Sequence, residues 1–105
     1  MDWYSMSDPA IMAEMGKRLR ENRLRRNYTQ SELAGKAGIS VLSVQNLERG
    51  KSVSLSTLIS VLRFLRILSN LGNLIPEPPV SPVELLKLKG KTRMRAGKST
   101  RIPVK

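Results

Sequence analysis

The sequence has 105 residues, with nineteen Lys and Arg against eight Asp and Glu, a net charge of +11, and neither His nor Cys. That length suits one small domain with a tail. The missing residue types remove the commonest general base, the commonest metal ligand, the strongest nucleophile and any disulfide, so no metal, cofactor or enzymatic function is expected. The surplus positive charge asks for an anionic partner, whether nucleic acid, an anionic membrane surface or an acidic protein. Its distribution is uneven: residues 1–80 hold eleven basic and seven acidic residues, a net +4, whereas residues 81–105 hold eight and one, a net +7. The most apolar stretch, Leu58 to Leu68, is interrupted by Arg63 and Arg66, which argues against a membrane span. The first fifteen residues carry Asp2, Asp8 and Glu14 and lack the pattern of a secretory signal, so a cytoplasmic location is expected.

Residues 1–6 show no period and read as a mobile N-terminal arm. Ser7, Asp8 and Pro9 signal a helix start. Apolar spacing at Ile11, Met12, Met15 and Leu19 then predicts a helix to about Asn27, with a basic surface of Lys17, Arg18, Arg20, Arg23, Arg25 and Arg26. Thr29 and Glu32 form a capping box that opens a short helix through Leu33, Ala34 and Ala37. Gly38 ends it in the left-handed slot, Ser40 caps a second short helix from Val41 to Glu48, and Arg49-Gly50 closes that one. Ser54 caps a longer helix from Leu55 to about Leu65, and a further short helix is expected from Ser69 or Asn70 to Ile75. Residues 76–80 are a Pro-rich linker. Residues 81–105 begin with another capping box, Ser81 to Glu84, which predicts a helix through Leu88. A basic stretch without apolar period follows, which should be disordered alone.

The informative segment is Gln30 to Gly50, two short helices joined by one glycine and therefore crossing steeply. Ala34 must be small where the helices approach, Gly38 must make the turn, and Leu33, Ala37, Ile39, Val44 and Leu47 must be apolar to lock the pair on a core. All of these conditions are met. These residues, with Tyr28-Thr-Gln-Ser-Glu-Leu-Ala34, Ala37-Gly-Ile-Ser40, Asn46-Leu-Glu-Arg-Gly-Lys51 and Ser54-Leu-Ser-Thr-Leu58, resemble the Xre/Cro/C1-type helix-turn-helix family over about residues 15–68. The resemblance implies an all-α fold, a compact five-helix lambda-repressor-like domain over residues 7–75. It also implies a dimeric repressor acting on double-stranded DNA at a palindromic operator, in the bacterial cytoplasm at the nucleoid.

Position by position, the resemblance places Val41, Leu42, Gln45 and Asn46 against base edges. It places Gln30, Ser40, Ser43, Arg49 and Lys51 near the DNA backbone, and makes Arg23 and Glu48 a structural ion pair. The sequence departs from the family at position 41, which often carries Gln there and is Val here, followed by Leu42. Apolar side chains cannot make bidentate hydrogen bonds but can touch thymine methyl groups, whereas Gln45 and Asn46 suit adenine, so an A/T-containing half-site is expected. Leu42 packing on a second subunit or a protein partner is the other reading.

The apolar residues from Leu55 to Ile75 exceed what one helix face can bury, so a homodimer interface is expected at Phe64, Ile67, Leu68, Leu71, Leu74 and Ile75. The stretch from Ile75 to Gly90 and its basic end also resemble the HipB-like repressors encoded beside HipA-type kinase toxins. This implies an autorepressor of a toxin–antitoxin operon or, alternatively, an antitoxin module whose main role is to bind a toxin kinase. Lys87, Lys89, Lys91, Arg93, Arg95, Lys98, Arg101 and Lys105 would add DNA affinity through counterion release. Three features stay open at this level: whether the basic surface of the first helix meets phosphates or only water, whether Trp3 and Tyr4 anchor a partner, and whether the tail touches anything. A membrane-active role is disfavoured because the basic and the apolar residues fall in different segments.

Overall fold

The computed structural model describes residues 1–80 together with 82, 83 and 86. Among these residues there are five α-helices and no strand: α1 Asp8–Arg25, α2 Gln30–Ala37, α3 Val41–Glu48, α4 Leu55–Phe64 and α5 Leu71–Leu74, with 3-10 turns at Trp3–Ser5 and Leu68–Asn70. The all-α, lambda-repressor-like helix-turn-helix fold expected from the sequence is the fold observed. None of these helices is long and apolar enough to cross a membrane.

Each of the first four helices begins where a hydroxyl can accept one of the orphan N–H groups of the first turn. Ser7 accepts from Ala10 at 3.2 Å, Ser40 from Ser43 at 3.0 Å and Ser54 from Thr57 at 3.1 Å. Thr29 and Glu32 bond reciprocally, at 3.0 and 2.8 Å. The helix ends are equally determined. Gly38, at φ 74°, takes the left-handed conformation that turns the chain from α2 into α3. After α4 the left-handed position falls to Arg66, at φ 63°, where a side chain is tolerated at some backbone cost.

Every long helix gives one or two residues to a single core: Leu19 from α1, Leu33 and Ala34 from α2, Val44 and Leu47 from α3, and Val61 from α4 with Leu65 just beyond it. Helix α2 packs on α3 and α4, and α1 packs on α3. The α1–α3 crossing depends on Gly16. A Cβ there would sit 2.5 Å from the Leu47 carbonyl oxygen and 2.6 Å from that of Glu48, so only a glycine lets α1 lie directly on the end of α3.

The N terminus differs from the unstructured arm read from the sequence. Asp2 caps the turn Trp3–Ser5, and the Arg18 guanidinium of α1 lies 4.9 Å from the centre of the Trp3 ring. Arg18 also pairs with Glu14 at 2.9 Å. The chain divides after Leu74: Met1–Leu74 is one compact unit, and Ile75 falls with the residues that follow it, one position short of the boundary expected at 75. Residues 76–80 carry no regular structure, and Pro82, Val83 and Leu86 are helical. The remainder of the helix expected over 81–88, and the basic tail from Lys87 to Lys105, lie outside the described residues.

Candidate nucleic-acid interface

Helix α3 has an inner and an outer row. Val44 is completely buried and Leu47 nearly so. At 3.6 residues per turn, the side of the helix opposite this pair carries Leu42, Gln45, Asn46 and then Arg49 at the C-cap. Leu42 is 60% exposed, Gln45 and Asn46 are half-buried, and Arg49 and Lys51 are exposed. Val41 lies at the margin of the outer row, 37% exposed. At the N-terminal end of the helix, the Ser40 and Ser43 hydroxyls bond to each other at 2.9 Å while Ser40 also caps the helix.

A buried polar network fixes the attitude of α3. Arg23 donates from Nε to Glu48 Oε2 at 2.7 Å, from Nη2 to Glu48 Oε1 at 3.0 Å and from Nη1 to the Tyr28 carbonyl at 2.8 Å. The two charged side chains are only 7% and 5% exposed, so the fork geometry must compensate for two desolvated charges. Gln30 Nε2 adds a third donor to Glu48 Oε1 at 3.0 Å. No buried side-chain nitrogen or oxygen among the described residues is left without a partner. One carboxylate at the end of α3 thereby holds α1 and the first residue of α2, and Arg23 adds the α1–α2 turn through Tyr28.

This arrangement revises one reading of the sequence. Arg23 is no part of the basic surface of α1, because it is buried in the network. Arg26 is half-buried and bonds back to Asn22, whereas Lys17, Arg20 and Arg25 are exposed and make no ion pair among the described residues. Gln30, expected at the DNA backbone, is half-buried and donates from its amide to Glu48. Beside it, Arg20, Leu24, Asn27, Tyr28 and Thr29 line an open concavity of about 600 Å³. Sequence reasoning did not single out Gly16, although a glycine within an otherwise continuous helical pattern is itself a sign of close approach.

The residues expected to face a second subunit divide into two sets. Phe64 stacks edge-on against Tyr28, with ring centres 6.0 Å apart, and Ile67 packs against the core. Both are half-buried. Leu68 and Leu71 are half-buried and Leu74 is exposed, as is Leu55, which the interface reading omitted; Ile75, also exposed, belongs to the following unit.

Fold and site together define a helix-turn-helix arrangement, two short helices joined at Gly38, the second with a buried inner row and an outer row left toward the surface. Residues 19–69 match the model of the helix-turn-helix family. A comparison with curated proteins gives no match.

Proposed function

We propose that this protein is a sequence-specific transcriptional repressor that binds a palindromic operator as a homodimer, with α3 in the major groove. The observation that carries the reading is the outer row of α3, where Leu42, Gln45, Asn46 and Arg49 project from a helix whose inner row is locked in the core. Gln45 and Asn46 supply base-edge hydrogen bonds. The dipole and capped N terminus of α3, with Ser40 and Ser43, and the loop cations Arg49 and Lys51 lie against phosphates, as does the second amide hydrogen of Gln30. Two copies pair through the apolar surface at Leu68, Leu71 and Leu74, setting two recognition helices about one DNA turn apart, roughly 34 Å. The resemblance of residues 75–90 to repressors encoded beside kinase toxins supports a toxin–antitoxin operon as the setting, with the kinase as a second partner.

Titration against the DNA upstream of its own gene, and against a scrambled duplex of equal length, tests this reading. Specific binding tighter by at least about 10³-fold is expected. Replacing both Gln45 and Asn46 with Ala abolishes that preference while the helical circular-dichroism spectrum and any kinase binding persist. Equal, steeply salt-dependent binding to both duplexes would reduce the interaction to its basic charge and sink the repressor reading.

A further inference from the structure

The first turn of α3 offers little polar chemistry to a base. Its two hydroxyls, on Ser40 and Ser43, are engaged with each other and with the helix N terminus. The side chains left to project are Val41, 37% exposed, and Leu42, 60% exposed and almost directly opposite the buried pair Val44 and Leu47. In helix-turn-helix docking it is the N-terminal part of the second helix that reaches the base edges. The major-groove edges of the four unmodified base pairs carry acceptors, donors and a single apolar group, the thymine C5 methyl. An apolar side chain pressed on any other edge would strip water from a donor or acceptor and return nothing.

We infer that Leu42, flanked by Val41, is a specificity-determining residue that reads thymine methyl groups in each half-site. The inference rests on the reading of α3 as the DNA-recognition helix and adds the chemical group recognised. It also assigns the preference to discrimination: a G·C pair at that position is rejected because its polar edge is desolvated without a partner. Gln45 and Asn46, one turn further along, supply the hydrogen-bonded part of the readout.

Uracil substitution tests this directly, because uracil differs from thymine only by the absent methyl and keeps every hydrogen-bonding group. The operator is first obtained by selecting bound duplexes from a random library with the full-length protein. Each thymine is then replaced by uracil in turn, and affinities are measured for the wild type and for Leu42→Ala, a substitution at an exposed position outside the core. One or two symmetry-related positions per half-site are expected to lose about three- to fivefold in affinity per methyl. At those positions Leu42→Ala binds the thymine operator more weakly and no longer distinguishes uracil. An enriched operator whose affinity is unchanged by uracil at every position overturns the methyl readout and leaves the repressor reading intact. So does a Leu42→Ala protein with the wild-type uracil profile, which would move Leu42 to a protein contact. Failure to enrich any operator overturns the assignment of α3 itself.

Discussion

Glu48 accepts three hydrogen bonds, two from Arg23 and one from Gln30, in a setting almost closed to water. Removing it leaves a buried guanidinium without its counter-charge, a change that costs about 3–5 kcal/mol. Glu48→Ala is therefore expected to lower the urea midpoint drastically, since a whole domain is stable by only about 5–15 kcal/mol. The paired change Arg23→Met with Glu48→Leu should recover most of that loss, because apolar replacement of both partners abolishes the desolvation cost with the attraction. A double mutant as unstable as Glu48→Ala would show that the pair contributes net stability beyond its own compensation. The two positions are 25 residues apart, and their pairing came into view in the sequence only through resemblance to a family. Arg23 follows Leu19 by four residues and so continues the inner row of α1, but that spacing names no partner for it.

At the level of the helices, two glycines make opposite predictions. Gly16 and Gly35 both sit inside helices, where alanine is intrinsically better by roughly 0.8–1 kcal/mol. At Gly35 an added Cβ meets nothing within 4 Å. Gly35→Ala is accordingly expected to raise stability by about 0.5–1 kcal/mol in a thermal or urea melt. At Gly16 the added Cβ meets two backbone carbonyls of α3 inside van der Waals contact. Backbone cannot rotate away as a side chain can, so α1 must lift from α3, and the overpacking cost of about 1–3 kcal/mol exceeds the helix gain. Gly16→Ala is expected to destabilise, and because it shifts the end of α3 it should also weaken DNA binding. Equal effects of the two substitutions would mean that the α1–α3 contact is looser than its geometry. The helix boundaries themselves were legible in the sequence, because caps at Ser7, Thr29, Ser40 and Ser54 and the turn at Gly38 act within four residues of where they stand. The position at which one helix crosses another is not a local property, and Gly16 carried no sign of its particular neighbour.

For the whole molecule, charge is divided between a compact unit, Met1–Leu74, that contains the core found among the described residues, and a following segment rich in lysine and arginine. If the eight basic residues of positions 81–105 each neutralise a phosphate, they contribute up to about 7 to the slope of log affinity against log salt. Truncation after Pro79 is expected to reduce that slope by several units while the ranking of operator variants stays the same, since phosphate contacts add affinity without reading sequence. An unchanged slope would mean that the tail serves another partner. A changed ranking would mean that it reaches base edges.

What the sequence by itself determined was everything set by short-range chemistry and by composition. It specified an all-α chain without His or Cys, the start and stop of its helices, the glycine turn between α2 and α3, and the inner row of α3 that leaves Leu42, Gln45 and Asn46 on the outer side. Caps, turns and the helical period act over a few residues, so they can be read along a line. The tertiary structure decided which side chains are spent inside the domain. It turned Arg23 and Gln30 inward to Glu48, laid Trp3 on Arg18, drew Phe64 and Ile67 toward the core and left Leu74 outside. These outcomes depend on distances between residues remote in sequence, and close packing fixes such distances only once all the helices are in place.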